Sequence, residues 1–349
     1  MAPTSCEALV IRGTKGSGLS LVKDSIKVPT PGENQYLVKI SHVAQNPTDV
    51  QAFDGGVFED GSILGCDFVG TVEGIGPGAS SETKGKHIAG LIWGGEIKGL
   101  GGYSQYTVAD SAISFPVPDS TPLEQAATIP LASATAELAL FSKHCLAIDK
   151  SAKGTPVLIW GGASSVGNYA IQIAALHGLE VITTCSPKHF DFVRSLGARH
   201  AFDYKDDKVV DKIKDAVPNL EYVFDTIGNS SSSATASQAI NKSGGGLCTV
   251  RPGKANTEKV TEWTKVTDVL VWTAFLKEHR YAQFHWPVLK DDHDLVADFF
   301  AKMPKLLQEG KIKPNNTKVL DGGLDAVTNG FQEYRDGKIS GYKIVYKLT

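Results

Sequence analysis

No two cysteines in this sequence stand close enough to form a CxxC pair, and the five present, Cys6, Cys66, Cys145, Cys185 and Cys248, are odd in number. That argues against a disulfide framework and leaves them most simply as reduced, buried small residues of an intracellular protein. No apolar run approaches the roughly 20 residues that span a bilayer. The opening Met1-Ala-Pro-Thr-Ser-Cys-Glu7 lacks the basic and apolar blocks of a signal peptide. A cytoplasmic protein with no membrane partner is expected. Charge of one sign is missing too: 35 Lys+Arg stand against 38 Asp+Glu, a formal net charge of -3 with no basic runs. No broad field gathers nucleic acid, so no such partner is expected.

What the sequence does hold is glycine, 36 residues in a chain of 349, concentrated in the first 102 positions and around Gly161 and Gly244. The length suits two domains, each burying its own core. From Leu9 to about Val117, alternating runs such as Leu37-Val-Lys-Ile-Ser-His-Val43 and Phe68-Val-Gly-Thr-Val-Glu-Gly-Ile75 are cut by Pro31-Gly and Pro77-Gly turns, the pattern of a compact all-β unit. After Pro130 strands alternate with amphipathic helices, which implies a parallel sheet covered on both faces. Its strands are Val157–Trp160, Glu180–Cys185, His200–Tyr204, Tyr222–Asp225 and Leu247–Val250, with Val269–Trp272 read as one more. In the helix after the first strand, Val166, Ala170, Ile173, Ala174 and His177 share one face, and Gly178 supplies the stop. Helices are expected from Asp294 to about Glu309 and from Leu324 to Arg335, and Tyr342–Lys347 reads as a closing strand. The tail resembles the first segment, so the chain is expected to build a first domain over residues 1–123, an α/β domain over 124–287, and return over 288–349.

The most informative segment is Pro156-Val-Leu-Ile-Trp-Gly-Gly-Ala-Ser-Ser-Val-Gly-Asn-Tyr-Ala170, a buried strand feeding a glycine turn and then a helix. Gly161 and Gly162 allow the tight turn and Gly167 close packing, so a pyrophosphate can approach the N–H groups at the helix start. The glycines alone also suit a structural loop; the repeated βα units favour a dinucleotide. A bulky residue at Gly162 is expected to abolish binding and leave the fold near intact. The next strand ends Thr184-Cys-Ser-Pro-Lys-His189, without the acid that meets the ribose hydroxyls of NAD. Ser186 can donate to a 2′-phosphate, Lys188 adds charge, and Tyr204 ends the following strand as a phenolic donor, which favours NADPH. Lys188 and His189 also suit a plain solvated helix start.

Through Asn46-Pro-Thr-Asp49, Gly65-Cys-Asp-Phe-Val-Gly70, Gly102-Tyr-Ser-Gln-Tyr106, the Gly161 to Gly167 turn and Gly337-Lys-Ile-Ser-Gly-Tyr-Lys343, the chain resembles the medium-chain dehydrogenase/reductase superfamily over nearly its whole length. Within it the sequence is most similar to the zinc-free quinone oxidoreductase branch, and there to fungal trans-acting enoyl reductases that serve polyketide synthases. The resemblance implies an α/β fold, a Rossmann parallel-sheet domain plus a GroES-like β-rich domain. It implies that Asn46, Pro47, Thr48 and Asp49 line the nicotinamide end, and that Ser164, Ser165, Val166 and Gly167 hold the pyrophosphate. Ser186, Pro187, Lys188 and His189 with Tyr204 would hold the 2′-phosphate, Val250 and Arg251 lie along the cofactor, and Gly341 and Tyr342 close over it. The region of Trp272, Thr273, Ala274 and Phe275 borders the substrate in the fungal relatives, although an aromatic stripe also suits core or interface.

Zinc-dependent relatives take a Cys ligand from the segment occupied here by Ala44 to Asp49 and a His from a Gly-His-Glu motif; this chain has Gln45-Asn46 and Gly65-Cys66-Asp67 instead. The stretch Gly94 to Gly102 holds no cysteine for a structural zinc lobe, and no spacing joins Cys66 to His42 and His87, so no metal is expected. Conjugate hydride transfer needs no Lewis acid, only a hydrogen bond to the carbonyl as enolate charge develops and a proton for the α carbon. Where mitochondrial-type relatives carry a tyrosine, this chain has Phe53 and Phe58. Thr135, Gln51 or a water are the candidate donors, and each residue also suits a packing or capping role. The expected activity is NADPH-dependent reduction of a polarised C=C bond, on a small-molecule or carrier-bound enoyl substrate with a polyketide synthase carrier domain as partner. The alternatives are a quinone or enone reductase on free molecules and a non-catalytic dinucleotide-binding, structural or RNA-associated member. Either a monomer or a homodimer fits.

Overall fold

The computed structural model describes residues 3–16, 18–281 and 284–348. Met1 and Ala2 of the opening segment and Ala282 and Gln283 of the aromatic segment lie outside the described residues. The chain forms two compact units, one of Met1–Leu131, Phe300–Gly310 and Pro314–Thr349, the other of Ala132–Phe299 with Lys311–Lys313. The seams at 131/132 and 299/300 fall inside helices, where no turn residue marks them in the sequence.

In chain order the first unit begins with β1 (Ser5–Thr14) and β2 (Gly18–Lys27), an antiparallel pair. Next come β3 (Gln35–Ala44), α1 (Pro47–Gly55), β4 (Asp67–Ile75), β5 (His87–Leu91), β6 (Tyr106–Asp110), β7 (Ser114–Pro116) and α2 (Leu123–Ala126). The chain then enters α3 (Pro130–Phe141) and the second unit: β8 (Pro156–Trp160), α4 (Ser165–Leu176), β9 (Glu180–Cys185), α5 (Phe190–Ser195), β10 (His200–Asp203), α6 (Val209–Ala216), β11 (Tyr222–Asp225) and α7 (Ser232–Ser237). It continues through β12 (Gly245–Thr249), β13 (Thr264–Asp268), β14 (His279–Tyr281), β15 (Phe284–Trp286) and α8 (Lys290–Gln308), and returns with β16 (Thr317–Leu320), α9 (Val327–Arg335) and β17 (Lys343–Lys347).

The β unit orders its main sheet β16-β17-β3-β4-β5-β7, with β6 also on β3. Its core joins Val10, Ile11, Val38, Ile40, Phe68, Tyr103, Phe331 and Tyr346. The β3–β4 register shifts at Leu37/Val38 and at Ile40/His42, so strict in-out alternation fails there. In the α/β unit a parallel sheet runs β10-β9-β8-β11-β12-β13. Strand order reverses between β8 and β11, the switch point outside whose carboxyl ends ligands bind in open α/β sheets. Every residue of β8 is buried, as the continuous apolar run of a strand covered on both faces requires.

Two readings of this unit are corrected. Val269–Trp272 is not a strand: Val271–Ala274 makes one buried 3-10 turn, and the sixth strand is the half-polar β13, which among the described residues pairs only with β12. An edge strand needs no apolar run, so the buried run beside it drew the assignment. The second concerns α4, which is buried all round from Gly167 to Ala174 rather than along one face. The Gln172 amide explains it, donating to Lys313 O at 3.1 Å and accepting from Lys313 N at 2.7 Å, so a returning segment covers the side away from the sheet. Helix α8 starts earlier than expected, with Asp291 and Asp292 in its first turn where the helix dipole favours them. Among the described residues no helix is long and apolar enough to cross a membrane.

Candidate active site

At the end of β8 the Gly161 N–H donates to Thr184 Oγ1 at 3.1 Å and the Gly162 N–H to Thr184 O at 2.9 Å, tying the turn to β9. Ser164 caps α4, its Oγ accepting from Gly167 N at 2.9 Å. Gly167 therefore offers an anion no N–H of its own, and the first-turn N–H groups left for one are those of Ser165 and Val166. A Cβ on Gly162 would lie 2.0 Å from Thr183 Oγ1 and 2.8 Å from Ile171 Cδ1. A bulky residue there disturbs the packing of α4 on the sheet, so the fold does not stay near intact as expected.

Two residues missed in the sequence complete this turn. Thr226, just past β11, donates to Trp160 O at 2.8 Å and Gly161 O at 3.0 Å, and its hydroxyl meets Ser164 Oγ at 2.8 Å. It bridges the switch point. Asp225, fully buried, accepts from Ile227 N at 3.0 Å, Gly228 N at 3.1 Å, Ser232 Oγ at 2.6 Å and Ser233 Oγ at 2.7 Å, holding β11 to α7. The signal was present: polar Asp225-Thr226 ends an apolar strand just before Gly228.

At the other side of the sheet Cys185 pairs with Asp203, so the residues that follow them, Ser186 and Tyr204, leave neighbouring strand ends together. Pro187–His189 makes one 3-10 turn, with Lys188 exposed. Tyr204 is 45% exposed and Lys205 Nζ lies 5.8 Å from its ring centre. Burial and then Lys188 hold the His189 pKa below its usual value, so it adds little charge at pH 7. Val250 N donates to Asp225 O at 3.1 Å, and Arg251 Nε to Gly228 O at 2.9 Å beside Asn256 Nδ2, 2.8 Å from the same oxygen.

In the β unit Asn46 caps α1, Pro47 and Thr48 open it, and Asp49 is buried. The Asp49 carboxylate accepts from Asn46 N at 2.7 Å, Gly65 N at 3.2 Å, Cys66 Sγ at 3.3 Å and Tyr103 OH at 3.1 Å. Burial nevertheless raises its pKa to about 6, and burial followed by the Asp49 charge pushes the Cys66 thiol and Tyr103 phenol up. Next to it Asp67 Oδ2 accepts from Lys343 Nζ at 2.5 Å and Asn46 Nδ2 at 2.9 Å, and Oδ1 from Leu131 N at 2.6 Å. Gln45 Nε2 donates to Gly330 O at 3.0 Å and Tyr346 OH donates to Gln45 Oε1. The sequence motifs contained Asp67 and Lys343 without revealing that they meet.

The raised Asp49 pKa carries a sign. The folded state binds this proton more tightly than the unfolded chain, so stability falls as pH rises from about 4 through about 6, and the loss is complete above that. The difference corresponds to about 3 kcal/mol. Unfolding midpoints of the wild type and Asp49→Asn, compared across pH, should show the wild type gaining on the variant as pH falls from 7 to about 4. A pH-independent difference would mean an ordinary carboxylate.

Residues 32–119 match the family described as the alcohol dehydrogenase GroES-like domain, and residues 165–270 that described as zinc-binding dehydrogenase. A trans-enoyl reductase of Alternaria alternata is 33% identical over 331 residues, spanning 93% of this chain and 95% of its own. Another, of Gibberella fujikuroi, is 33% identical over 350 residues, spanning 96% and 97%. The chain belongs to the medium-chain dehydrogenase/reductase superfamily. It is an oxidoreductase of that superfamily, and the superfamily implies a nicotinamide dinucleotide as cofactor. The CurK enoyl reductase structure shares the fold, with a TM-score of 0.76 at 19% identity over 99% of this chain and 100% of that one.

A dinucleotide suits this superfamily member's turn, where a Cβ at Gly167 would run into the backbone of Gly161 and Gly162 and one at Gly162 into the side chains of Thr183 and Ile171. Zinc does not suit its donors: the Cys66 thiol donates to Asp49, Asp67 is ion-paired, and Asn46 is bound to Asp67. Among the described residues no group of three or more His, Cys, Asp or Glu side chains is gathered to hold a metal. Phe58 packs edge-on to Trp93 at 6.4 Å. Gln51 sits on the exposed side of α1, donating to Tyr334 OH at 2.6 Å. Thr135 lies in α3, where every residue from Pro130 to Leu140 is buried. Tyr342 donates to Lys338 O at 3.2 Å and lies 5.8 Å below Lys318 Nζ, while Gly341 O accepts from Asn316 Nδ2 at 3.5 Å. Of the expected substrate residues Trp272, Thr273 and Ala274 are buried and Phe275 half-buried. The Thr273 hydroxyl donates to Leu270 O at 2.9 Å and to Asp292 at 2.6 Å, so it braces the 3-10 turn against α8.

Proposed function

We propose that this oxidoreductase is an NADPH-dependent, zinc-independent enoyl reductase of the cytoplasm, acting on an α,β-unsaturated thioester presented by a polyketide synthase carrier domain. The relatives named trans-enoyl reductases, aligned over nearly the whole chain, support the reaction class. The observation that carries the reading is at the end of β9, where Ser186 and Lys188 stand in place of a carboxylate and Tyr204 leaves the adjacent strand end. A carboxylate there would repel a 2′-phosphate, whereas a hydroxyl, an ammonium and a phenol receive one.

In this reading Ser165 and Val166 meet the diphosphate with their N–H groups, supported by Ser164 and Thr226. Ser186, Lys188 and Tyr204 hold the 2′-phosphate; Val250, Arg251, Gly341 and Tyr342 lie along the cofactor, and Asn46 to Asp49 border its nicotinamide end. When bound, the cofactor would supply a hydride for the β carbon of the enoyl group, and enolate charge would then develop on the thioester oxygen. The α carbon then takes its proton from the Thr135 hydroxyl or from water, since an amide such as Gln51 is no acid and its nitrogen is bound to Tyr334.

The test mixes the protein with NADPH and a panel of enoyl thioesters, enones and quinones, with and without a zinc chelator, following absorbance of the reduced nicotinamide. Turnover of enoyl thioesters unaffected by chelator is expected. Binding without turnover of any acceptor would point to a non-catalytic member, and loss of activity with chelator would overturn the zinc-independent mechanism.

A further inference from the structure

We propose that Asp67 and Lys343 are positioning residues, whose buried ion pair fixes the side-chain orientation of Asn46 and so the nicotinamide end of the site. The inference rests on the reductase reading above for the place of Asn46.

Asp67 is 0% exposed and Lys343 3%, and a single carboxylate oxygen receives both the Lys343 ammonium and the Asn46 amide nitrogen. A carboxylate of an ion pair only accepts, so the Asn46 amide must turn its nitrogen, never its oxygen, toward it. Ala44 O, 3.4 Å from the same nitrogen, enforces the same choice. The other carboxylate oxygen is held by Leu131 N, so Asp67 has no freedom to follow a rotating amide. Two acceptors thus hold the amide nitrogen, and Lys343 and Leu131 fix the one that matters most.

Stability alone gives no reason for such a pair. Desolvating two charges offsets much of their attraction, and a well-packed apolar pair of similar volume is often as stable or more so, whereas removing one partner leaves a buried charge and is strongly destabilising. What an apolar pair cannot supply is the acceptor that orients Asn46.

The double variant Lys343→Met/Asp67→Leu separates the two roles. It is expected to unfold within a few degrees of the wild type and to bind NADPH within about 3-fold by calorimetry, while kcat falls by about 30-fold or more, because small misplacements at a reacting centre cost that much. Asn46→Ala, which leaves the ion pair intact, should lose kcat by a similar factor, and adding it to the double variant should lower kcat little further. Lys343→Arg should retain most of the activity. A double variant with wild-type kcat would overturn the proposal, and wild-type kcat in Asn46→Ala would do so even if the double variant does not fold. If the wild type binds NADPH without turning over any acceptor, the reductase reading is what fails. The fluorescence of bound NADPH, which reports the nicotinamide's surroundings, then reads the positioning: altered emission in the double variant supports it and unchanged emission overturns it. If NADPH does not bind at all, both fall.

Discussion

Replacing Gly167 by valine is expected to weaken NADPH binding by at least about 100-fold in Kd, equivalent to about 2.7 kcal/mol, and to lower the unfolding temperature of the α/β unit. A Cβ at this position would lie 2.3 Å from Gly161 O and 2.8 Å from Gly162 Cα. Both are backbone atoms of the glycine turn, so no flexible side chain can give way. Either α4 moves off the sheet or the turn moves off β9, and in both cases the N–H groups of Ser165 and Val166 lose their aim. Overpacking of this kind costs about 1–3 kcal/mol in stability. Gly246→Ala is the control in the same unit, since its Cβ would meet nothing nearer than Leu146 Cδ2 at 3.4 Å. It should leave affinity and unfolding temperature close to the wild type. Unchanged NADPH affinity in Gly167→Val would show that the phosphates bind elsewhere.

Ser186→Asp is expected to shift the preference between NADPH and NADH by on the order of 100-fold toward NADH. Two like charges about 4 Å apart at an effective dielectric near 20 repel by about 4 kcal/mol, and screening at a partly exposed strand end reduces this to about 2–3 kcal/mol. NADH carries no 2′-phosphate, so its affinity should hold or improve as the new carboxylate accepts from the ribose hydroxyls. The measurement is the pair of dissociation constants. Equal weakening of both cofactors would remove Ser186 from the 2′ pocket. Half-buried Ser186 is not part of a core cluster, so the variant should fold normally.

Local rules made some of this protein legible in its sequence. The glycine turn was readable because, at Gly167, close approach of backbone to backbone admits no other residue. The run Val157-Leu-Ile-Trp160 was readable because a strand buried on both faces must be apolar throughout. Residues whose roles depend on distant neighbours were not readable. Thr264–Asp268 is a strand because β12 offers it an edge, and an exposed Lys with half-buried Thr and Asp side chains suits that edge without announcing it. Gln172 lies off the apolar face read from the sequence, and it is buried because Lys313 covers it. Asp67 and Lys343 were each within motifs noticed for other reasons, yet no periodicity links residues 276 apart. Thr273 stood out beside aromatics, while its hydroxyl belongs to Asp292.

The sheet of the β unit places β17 directly against β3 in space, although the whole α/β unit separates them along the chain. During translation the strands from β8 to β13 therefore emerge in one uninterrupted stretch and can assemble early. The β unit must wait for its last strand, with the His42–Ala44 end of β3 unpaired by β17 and Asp67 lacking its cation until Lys343 leaves the ribosome. A nascent chain stalled before that point carries a finished nucleotide-binding half beside an open sheet, and it is that open sheet which chaperones would have to shield.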